Sequence, residues 1–256
     1  MMIDSHCHLL NEYYDDVQKI VNEMKNKKII GIVSGTDIKS NEEAIFLANE
    51  NKNIYATVGF HPTELDKIND TSWIKLEEMI KHPKVVAIGE IGLDYHYSTD
   101  QIQEQKEVFV KQINLAKKYN KPVIIHNREA TADMLNLLKE HNVASIGGIM
   151  HCFNEDLEIA KKFIEFNLLI SIGGIITFNN ADNLRQVIKN IDLEYIVLET
   201  DSPFLSPAPF RGIKNNPLLL ENIVNVIANV RGISAEQVKL ITTINARKIF
   251  KIDLCL

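Results

Sequence analysis

The sequence predicts an α/β fold: a single-domain (β/α)8 TIM-type barrel with its active site at the C-terminal strand ends. Three observations predict it. Eight short apolar runs, most of them rich in Ile and Val, alternate with longer stretches of helical character, as strands buried on both faces of a parallel sheet do. The chain has 256 residues, and eight strand–helix units typically take about 250. A doubly wound open sheet shares the alternating pattern, but no GxGxxG turn follows the first run, which weakens its dinucleotide-binding version.

In chain order the runs are MMID (1–4), IIGIVSG (29–35), IYATVGF (54–60), VVAIGEIGL (85–93), PVIIHN (122–127), ASIGGIMHCF (144–153), LLISIGG (168–174) and YIVLETD (195–201). The stretches between them read as helices. Ser40 followed by Glu43 predicts a capping box, and Ser234 followed by Gln237 another. Residues 101–119 place Phe109, Ile113 and Ala116 at helical spacing with charges elsewhere, a core-facing stripe. Asn216 before Pro217 suits an N-cap followed by proline at the first helical position. No Ser-rich or Gly-rich linker and no low-complexity segment interrupts the pattern, so residues 1–256 are read as one domain.

The composition, 45% hydrophobic and 24% charged, is that of an ordinary globular chain. A net charge of −6 argues against a protein that coats nucleic acid through bulk positive charge. It leaves a nuclease open, because a bound metal supplies positive charge where a phosphate sits. Cys7, Cys152 and Cys255 give no disulfide framework and suit a reducing cytosol. The N-terminus lacks a basic segment followed by an apolar one, and no apolar run approaches the roughly 18–20 residues of a membrane span. The expectation is a cytoplasmic protein with no membrane partner. With no coiled-coil pattern in view, a monomer is expected.

The runs lead into chemistry. The first leads to His6 and His8, the third to His61, and the fourth to Glu90 and Asp94. The fifth leads to His126 with Arg128 close behind, the sixth to His151, and the eighth to Glu199 and Asp201. The C-terminal strand ends of a barrel form one rim, where the active site lies; five of the eight histidines are expected there. Because residues i and i+2 of a strand share a face, Asp4, His6 and His8 are expected on one side and Ser5 and Cys7 on the other. Imidazole and carboxylate ligands suit Zn²⁺, Mn²⁺, Fe²⁺ or Ni²⁺. His6, His8, Glu90, His126, His151 and Asp201 make six ligands, too many for one tetrahedral ion. Two ions about 3.5–4 Å apart, bridged by a carboxylate, would use them all. Glu90, midway in the strand order, is the natural bridge. Such a pair lowers the pKa of a bridging water and clamps both oxygens of a phosphate displacement. No GxSxG turn suggests a serine nucleophile.

The ordered motifs resemble the TatD family of metal-dependent deoxyribonucleases, within the amidohydrolase-like superfamily of barrels. They are DSHCHL, GFHP, GEIGLDY, HNR, HCF, ETDSPFLSP, RG at Arg211 and Gly212, and NARKIF, and they span essentially the whole chain. The resemblance implies hydrolysis of phosphodiester bonds in DNA from a strand end, by two divalent ions drawn from Mg, Mn, Zn or Ni. It implies that His6, His8, Glu90 and Asp201 hold one ion and that Glu90, His126 and His151 hold the other. It further implies that His61 contacts the scissile phosphate and that Asp201 orients or deprotonates the attacking water. Glu90 stands where related hydrolases of esters, amides and lactones often carry a carboxylated lysine, which favours the phosphodiesterase. Two departures bear on substrate preference: the family often reads His-Pro-His where this chain has HPT, ending at Thr63, and Asn-Glu-Pro where it has NNP, at Asn216. RNA is a further candidate substrate. Hydrolysis of a D-aminoacyl-tRNA ester on the same frame is the alternative activity, and a barrel that only binds, with metal as a stabiliser, is the non-catalytic one.

Several residues carry two readings at this stage. Asp4 fits a partner that orients a histidine ring or an ordinary strand-end cap. Asp94 and Tyr95 fit either a rim support or a pocket wall contacting substrate. Arg128 fits a phosphate contact or a solvent-exposed first turn of a helix; Arg211 fits a phosphate contact or an anchor for the loop after the eighth strand. Of Glu199 and Asp201, which share a strand face on this reading, one is a ligand and the other its hydrogen-bonded support.

Overall fold

The computed structural model describes residues 1–97 and 99–253, so Cys255 lies outside the described residues. The apolar runs form strands β1 (Met2–Cys7), β2 (Ile29–Ser34), β3 (Ile54–Val58), β4 (Val85–Asp94), β5 (Val123–Arg128), β6 (Gly148–Met150), β7 (Leu168–Ile172) and β8 (Ile196–Leu198). They pair in parallel in sequence order, from β1 to β8. The chain after β8 returns to β1. Asp201 N–H donates to the His6 carbonyl at 3.0 Å, and His8 N–H donates to the Ser202 carbonyl at 2.7 Å. The result is a nearly closed (β/α)8 barrel, as the sequence predicts. Its helices are α1 (Val17–Asn26), α2 (Ile38–Glu50), α3 (Asp70–Ile80), α4 (Ile102–Tyr119), α5 (Thr131–Glu140), α6 (Leu157–Glu165), α7 (Asp182–Asn190), α8 (Leu220–Arg231) and α9 (Ala235–Phe250). No helix among the described residues is long and apolar enough to cross a membrane.

Alternation along the strands produces two apolar layers. Outward side chains such as Val33, Val58, Ile125, Ile170 and Leu198 pack under the helices, where Phe109, Ile113 and Ala116 of α4 are fully buried as expected. Inward side chains, including Ile3, Ile32, Ala87, Ile124, Ile149 and Val197, fill the barrel. Phe250 and Ile252 join them where the strands begin. That end is therefore plugged with hydrocarbon, and the polar cluster collects at the other.

Helix starts follow side-chain capping. The box at Ser234 and Gln237 forms as expected. The box expected at Ser40 and Glu43 starts one turn earlier. Asp37 is the N-cap of α2 and accepts from Ser40 N–H at 2.9 Å, while Ser40 Oγ accepts from Asp37 N–H at 3.0 Å. A carboxylate at the earlier position is the better acceptor for the first free N–H groups. Asn216 and Pro217 open a 3₁₀ turn, Pro217–Leu219, that runs into α8.

Simple alternation fails at two places, and both matter for the site. Between Asp4 and Cys7, β1 advances three residues while β2 advances two, from Gly31 to Val33. Between Ile88 and Ile91, β4 advances three while β5 advances two, from Val123 to Ile125. Each is a β-bulge, the irregularity that re-aims side chains beside active sites. In β1, Met2 and Cys7 lie in the outer layer and Ile3 in the inner one. Ser5 reaches Ser171 across the interior at 3.1 Å. The expectation that Asp4 shares a face with His6 while Ser5 faces away is thus overturned. Asp4 sits on the side of Met2, and the extra residue turns both Ser5 and His6 inward. In β4, Ile88 and Ile91 are both outer, and the extra residue between them lets Glu90 point in.

Candidate metal centre

Six side chains converge at the open end of the barrel. His6 is the penultimate residue of β1 and His8 follows the strand. Glu90 projects from the bulge of β4, His126 from β5, His151 just past β6, and Asp201 three residues past β8. His6, His8, Glu90, His151 and Asp201 are buried and His126 is half-buried. Backbone fit fixes two of them. Gly92 holds φ at +150°, and a Cβ there would lie 1.9 Å from the His126 carbonyl oxygen, so β4 and β5 approach only over glycine. Asp201 takes a left-handed φ of +52°, which turns its carboxylate toward the histidines rather than along a strand face shared with Glu199. Glu199 instead lies behind His151.

Hydrogen bonds to the outer edge of each ring determine what its inner edge offers. His8 Nδ1 donates to the Ser34 carbonyl at 3.0 Å, which leaves the Nε2 lone pair facing the cluster. His151 Nδ1 donates to Glu199 Oε2 at 3.1 Å, with the same result at Nε2. His126 is turned the other way: Nε2 donates to Asp94 Oδ2 at 2.9 Å, and Nδ1 faces Glu90 Oε1 at 2.9 Å. His6 Nδ1 lies 3.0 Å from Ser34 Oγ. Carboxylates and carbonyls that hold the far nitrogen of a histidine are the usual support of a metal ligand. His61 has the opposite arrangement. Its Nδ1 accepts from Thr63 N–H at 3.2 Å and lies 2.7 Å from Thr63 Oγ1. An N–H donor at Nδ1 leaves the neutral ring's hydrogen on Nε2, which points at Glu90 Oε1, 3.4 Å away. His61 is thereby set as a donor.

The spacing of the inner atoms fits a metal. Bonds of about 2.0–2.1 Å in tetrahedral geometry put neighbouring ligand atoms about 3.3–3.4 Å apart. His6 Nε2 lies 3.1 Å from His8 Nε2, 3.4 Å from Glu90 Oε2 and 3.6 Å from Asp201 Oδ1. His8 Nε2 lies 3.6 Å from each of the same two oxygens. On the other side of the carboxylate, Glu90 Oε1 lies 2.9 Å from His126 Nδ1 and 3.4 Å from His151 Nε2.

Electrostatics suit a site for cations. Burial alone would push the Glu90 carboxyl up, but His151, His61, His6 and the hydrogen bond from His126 outweigh it and hold it well below the usual range. Asp201 is also held low, since His151, His8 and His6 outweigh its burial. Burial opposes a proton on His151, yet Glu199, Glu90 and Asp201 push it up to about 10. The metal-free cluster balances its carboxylates with protons that a metal would displace.

Comparison with known proteins decides the family. The description "TatD related DNase" matches residues 3–251. The chain belongs to the TatD family. Among TatD relatives, an uncharacterized metal-dependent hydrolase of Bacillus subtilis, YabD, is 42% identical over 99% of this chain and all of its own length. YcfH of Escherichia coli K12, also an uncharacterized metal-dependent hydrolase, is 35% identical over 98% of this chain and 96% of its own. The crystal structure of YJJV, a TatD homologue from Escherichia coli K12, superposes with a TM-score of 0.92 at 30% identity, covering 98% of each chain. The protein is a metal-dependent hydrolase of the TatD family.

The remaining expected site residues divide. Arg128 lines the cleft, a cavity of about 760 Å³ over the cluster, with its guanidinium 5.1 Å from the Tyr97 ring centre. Asp94, expected to contact substrate, has its carboxylate engaged by His126 and by the N–H groups of His96 and Tyr97 at 2.9 and 3.2 Å. Arg211, expected near a phosphate or anchoring its loop, stacks on Phe178 at 3.8 Å, donates to the Ser206 carbonyl at 3.4 Å, and is not among the described residues lining the cleft. Asp4 touches no histidine ring. Its carboxylate accepts from Thr200 N–H at 2.9 Å and Thr200 Oγ1 at 2.5 Å, tying β1 to the chain after β8. Burial pushes that carboxyl up to about 8. Ser34 and Thr63 escaped the sequence reading because hydroxyl residues are common at strand ends. The departure from His at position 63 was the one available signal. Phe204, which lines the cleft with its ring centre 6.1 Å from that of His8, gave none.

Proposed function

We propose that the protein is a divalent-metal phosphodiesterase that hydrolyses DNA from a strand end by means of an activated water. The observation that carries this reading is the division of Glu90: Oε2 faces His6 and His8, which Asp201 Oδ1 also approaches, while Oε1 faces His126 and His151 and receives the Nε2 side of His61. In this reading the first set holds one ion and the second set another, with Glu90 common to both. The ions, drawn from Mg, Mn, Zn and Ni, would supply Lewis acidity toward phosphoryl oxygens and acidify a water. The chain's own groups do the rest. Asp201, kept ionised, orients the water and takes its proton. His61 donates from Nε2 to a phosphoryl oxygen, in the orientation Thr63 imposes. Arg128 offers its planar guanidinium to a phosphate at the outer wall. The family description as a DNase supports DNA as the substrate.

The test is hydrolysis of a 5′-labelled single-stranded oligonucleotide by metal-stripped protein, with Mg²⁺, Mn²⁺ or Zn²⁺ restored singly. Cleavage that returns with metal and falls by about 10²–10⁴-fold or more in Asp201→Asn is expected, and the product ladder reads the direction. Failure to cleave DNA with metal bound, together with release of the amino acid from a D-aminoacyl-tRNA, would assign the ester hydrolase instead.

A further inference from the structure

We infer that the cleft engages only the last one or two phosphates of its substrate, so that it serves short oligonucleotides and chain ends equally well and gains nothing from a longer strand. The inference rests on the phosphodiesterase reading and adds a footprint to it. Affinity for a long single strand normally comes from a track of Lys and Arg along the backbone. Here Arg128 carries the only permanent positive charge among the described residues lining the cleft. The same lining holds Glu64, Glu129 and Glu155, none of them in the metal cluster. Lys67 could have served as a second cation, but it is occupied by Glu64 at 2.5 Å and Asp37 at 2.8 Å. Glu155 accepts from the Thr131 hydroxyl at 2.6 Å, and Glu129 is paired with His96 Nδ1 at 2.7 Å. A second phosphate placed past Arg128 meets carboxylates, and the chain's net charge of −6 adds to the repulsion.

Two further observations point the same way. A cleft of about 760 Å³ is the size of an ordinary small-molecule site. Phe204, 48% exposed, presents an aromatic ring beside His8, and Tyr13 braces it edge-on at 5.7 Å. A ring in that place can stack one unpaired base, which binds without charge. Phe204 offers a face for one base, the metal cluster a place for one phosphate and Arg128 a place for another; Tyr97, also in the lining, lies against the Arg128 guanidinium at 5.1 Å.

The experiment measures kcat/KM on oligothymidylates of two, three, six and twenty residues with the metal-loaded protein, each at several salt concentrations. The expected result is a plateau reached by three residues. The expected salt slope of log kcat/KM is no steeper than about −1.4, which corresponds to two phosphates at roughly −0.7 each. The double variant Glu129→Lys, Glu155→Lys should raise kcat/KM for the twenty-residue strand relative to the dinucleotide and steepen its salt slope. A tenfold or larger rise in the native protein from three residues to twenty, or a slope steeper than about −3, would overturn the inference while leaving the nuclease standing. No cleavage at any length by metal-loaded protein would remove both.

Discussion

At the scale of the residue, the site is governed by which nitrogen of each histidine is already spoken for. His8, His126 and His151 each donate outward to a carbonyl or carboxylate, so that their inner nitrogen is the one a metal would take on displacing its proton, whereas His61 accepts outward and keeps a hydrogen inward. Two predictions follow from that contrast. Glu199→Gln weakens the acceptor behind His151, so metal affinity is expected to fall about 10- to 100-fold; a calorimetric metal titration reads the loss. Thr63→Val removes one of the two donors to His61 Nδ1 and leaves the backbone N–H. Turnover should drop several-fold at unchanged metal content, with Thr63→Ser restoring it, and ¹⁵N shifts of the His61 ring should show Nε2–H more weakly populated in the valine variant. Equal loss in the serine and valine variants would remove the role given to the hydroxyl. The convergence of His6, His8, Glu90, His126, His151 and Asp201 at one end of the barrel was legible in the sequence, because histidines and acids at the ends of Ile- and Val-rich runs have few other reasons to recur. The tautomers were not, since they depend on Ser34, Glu199 and Thr63 arriving from neighbouring strands and loops.

At the scale of the element, two bulges do what strict alternation cannot. The pattern of Asp4, His6 and His8 suggested a regular strand with one polar face. The chain inserts an extra residue instead, so that Asp4 staples Thr200 on the outside while Ser5 and His6 both turn in. The same device presents Glu90 from β4 between two outward isoleucines. Strand identity was readable from composition. Bulges were not, because a slip of one residue leaves no mark in an apolar run that is buried on both faces. The close approach of β4 to β5 can be tested directly. In Gly92→Ala a methyl group would meet the His126 carbonyl at 1.9 Å on a backbone of positive φ, so a loss of roughly 3 kcal/mol or more is expected in urea unfolding, together with weaker metal binding.

At the scale of the whole molecule, the barrel separates tasks by end. Hydrocarbon from α9 closes the end where strands begin, and the buried charged cluster occupies the other. That cluster makes stability depend on pH in the metal-free protein. His151 has its pKa raised to about 10, so its contribution is fully present below the unfolded value of about 6.5 and is lost as pH rises through 10. Glu90 and Asp201 have theirs lowered, so their contribution is present above the unfolded values of about 4 and is lost as pH falls through the folded ones. Stripped protein should therefore have its highest Tm near neutral pH and lose stability toward pH 10 and in acid. Metal binding should release protons and tighten as pH rises from about 6.5. A Tm that climbs steadily from neutral pH to 10 would contradict the charge assignment at His151.

The arrangement around Glu90 is tested most directly by anomalous diffraction from crystals loaded with Mn²⁺. Two peaks are expected: one bound by His6, His8, Asp201 and Glu90 Oε2, the other by His126, His151 and Glu90 Oε1, with His61 bound to neither. A single peak, or a peak ligated by His61 Nε2, would contradict both the shared carboxylate and the tautomer that Thr63 imposes.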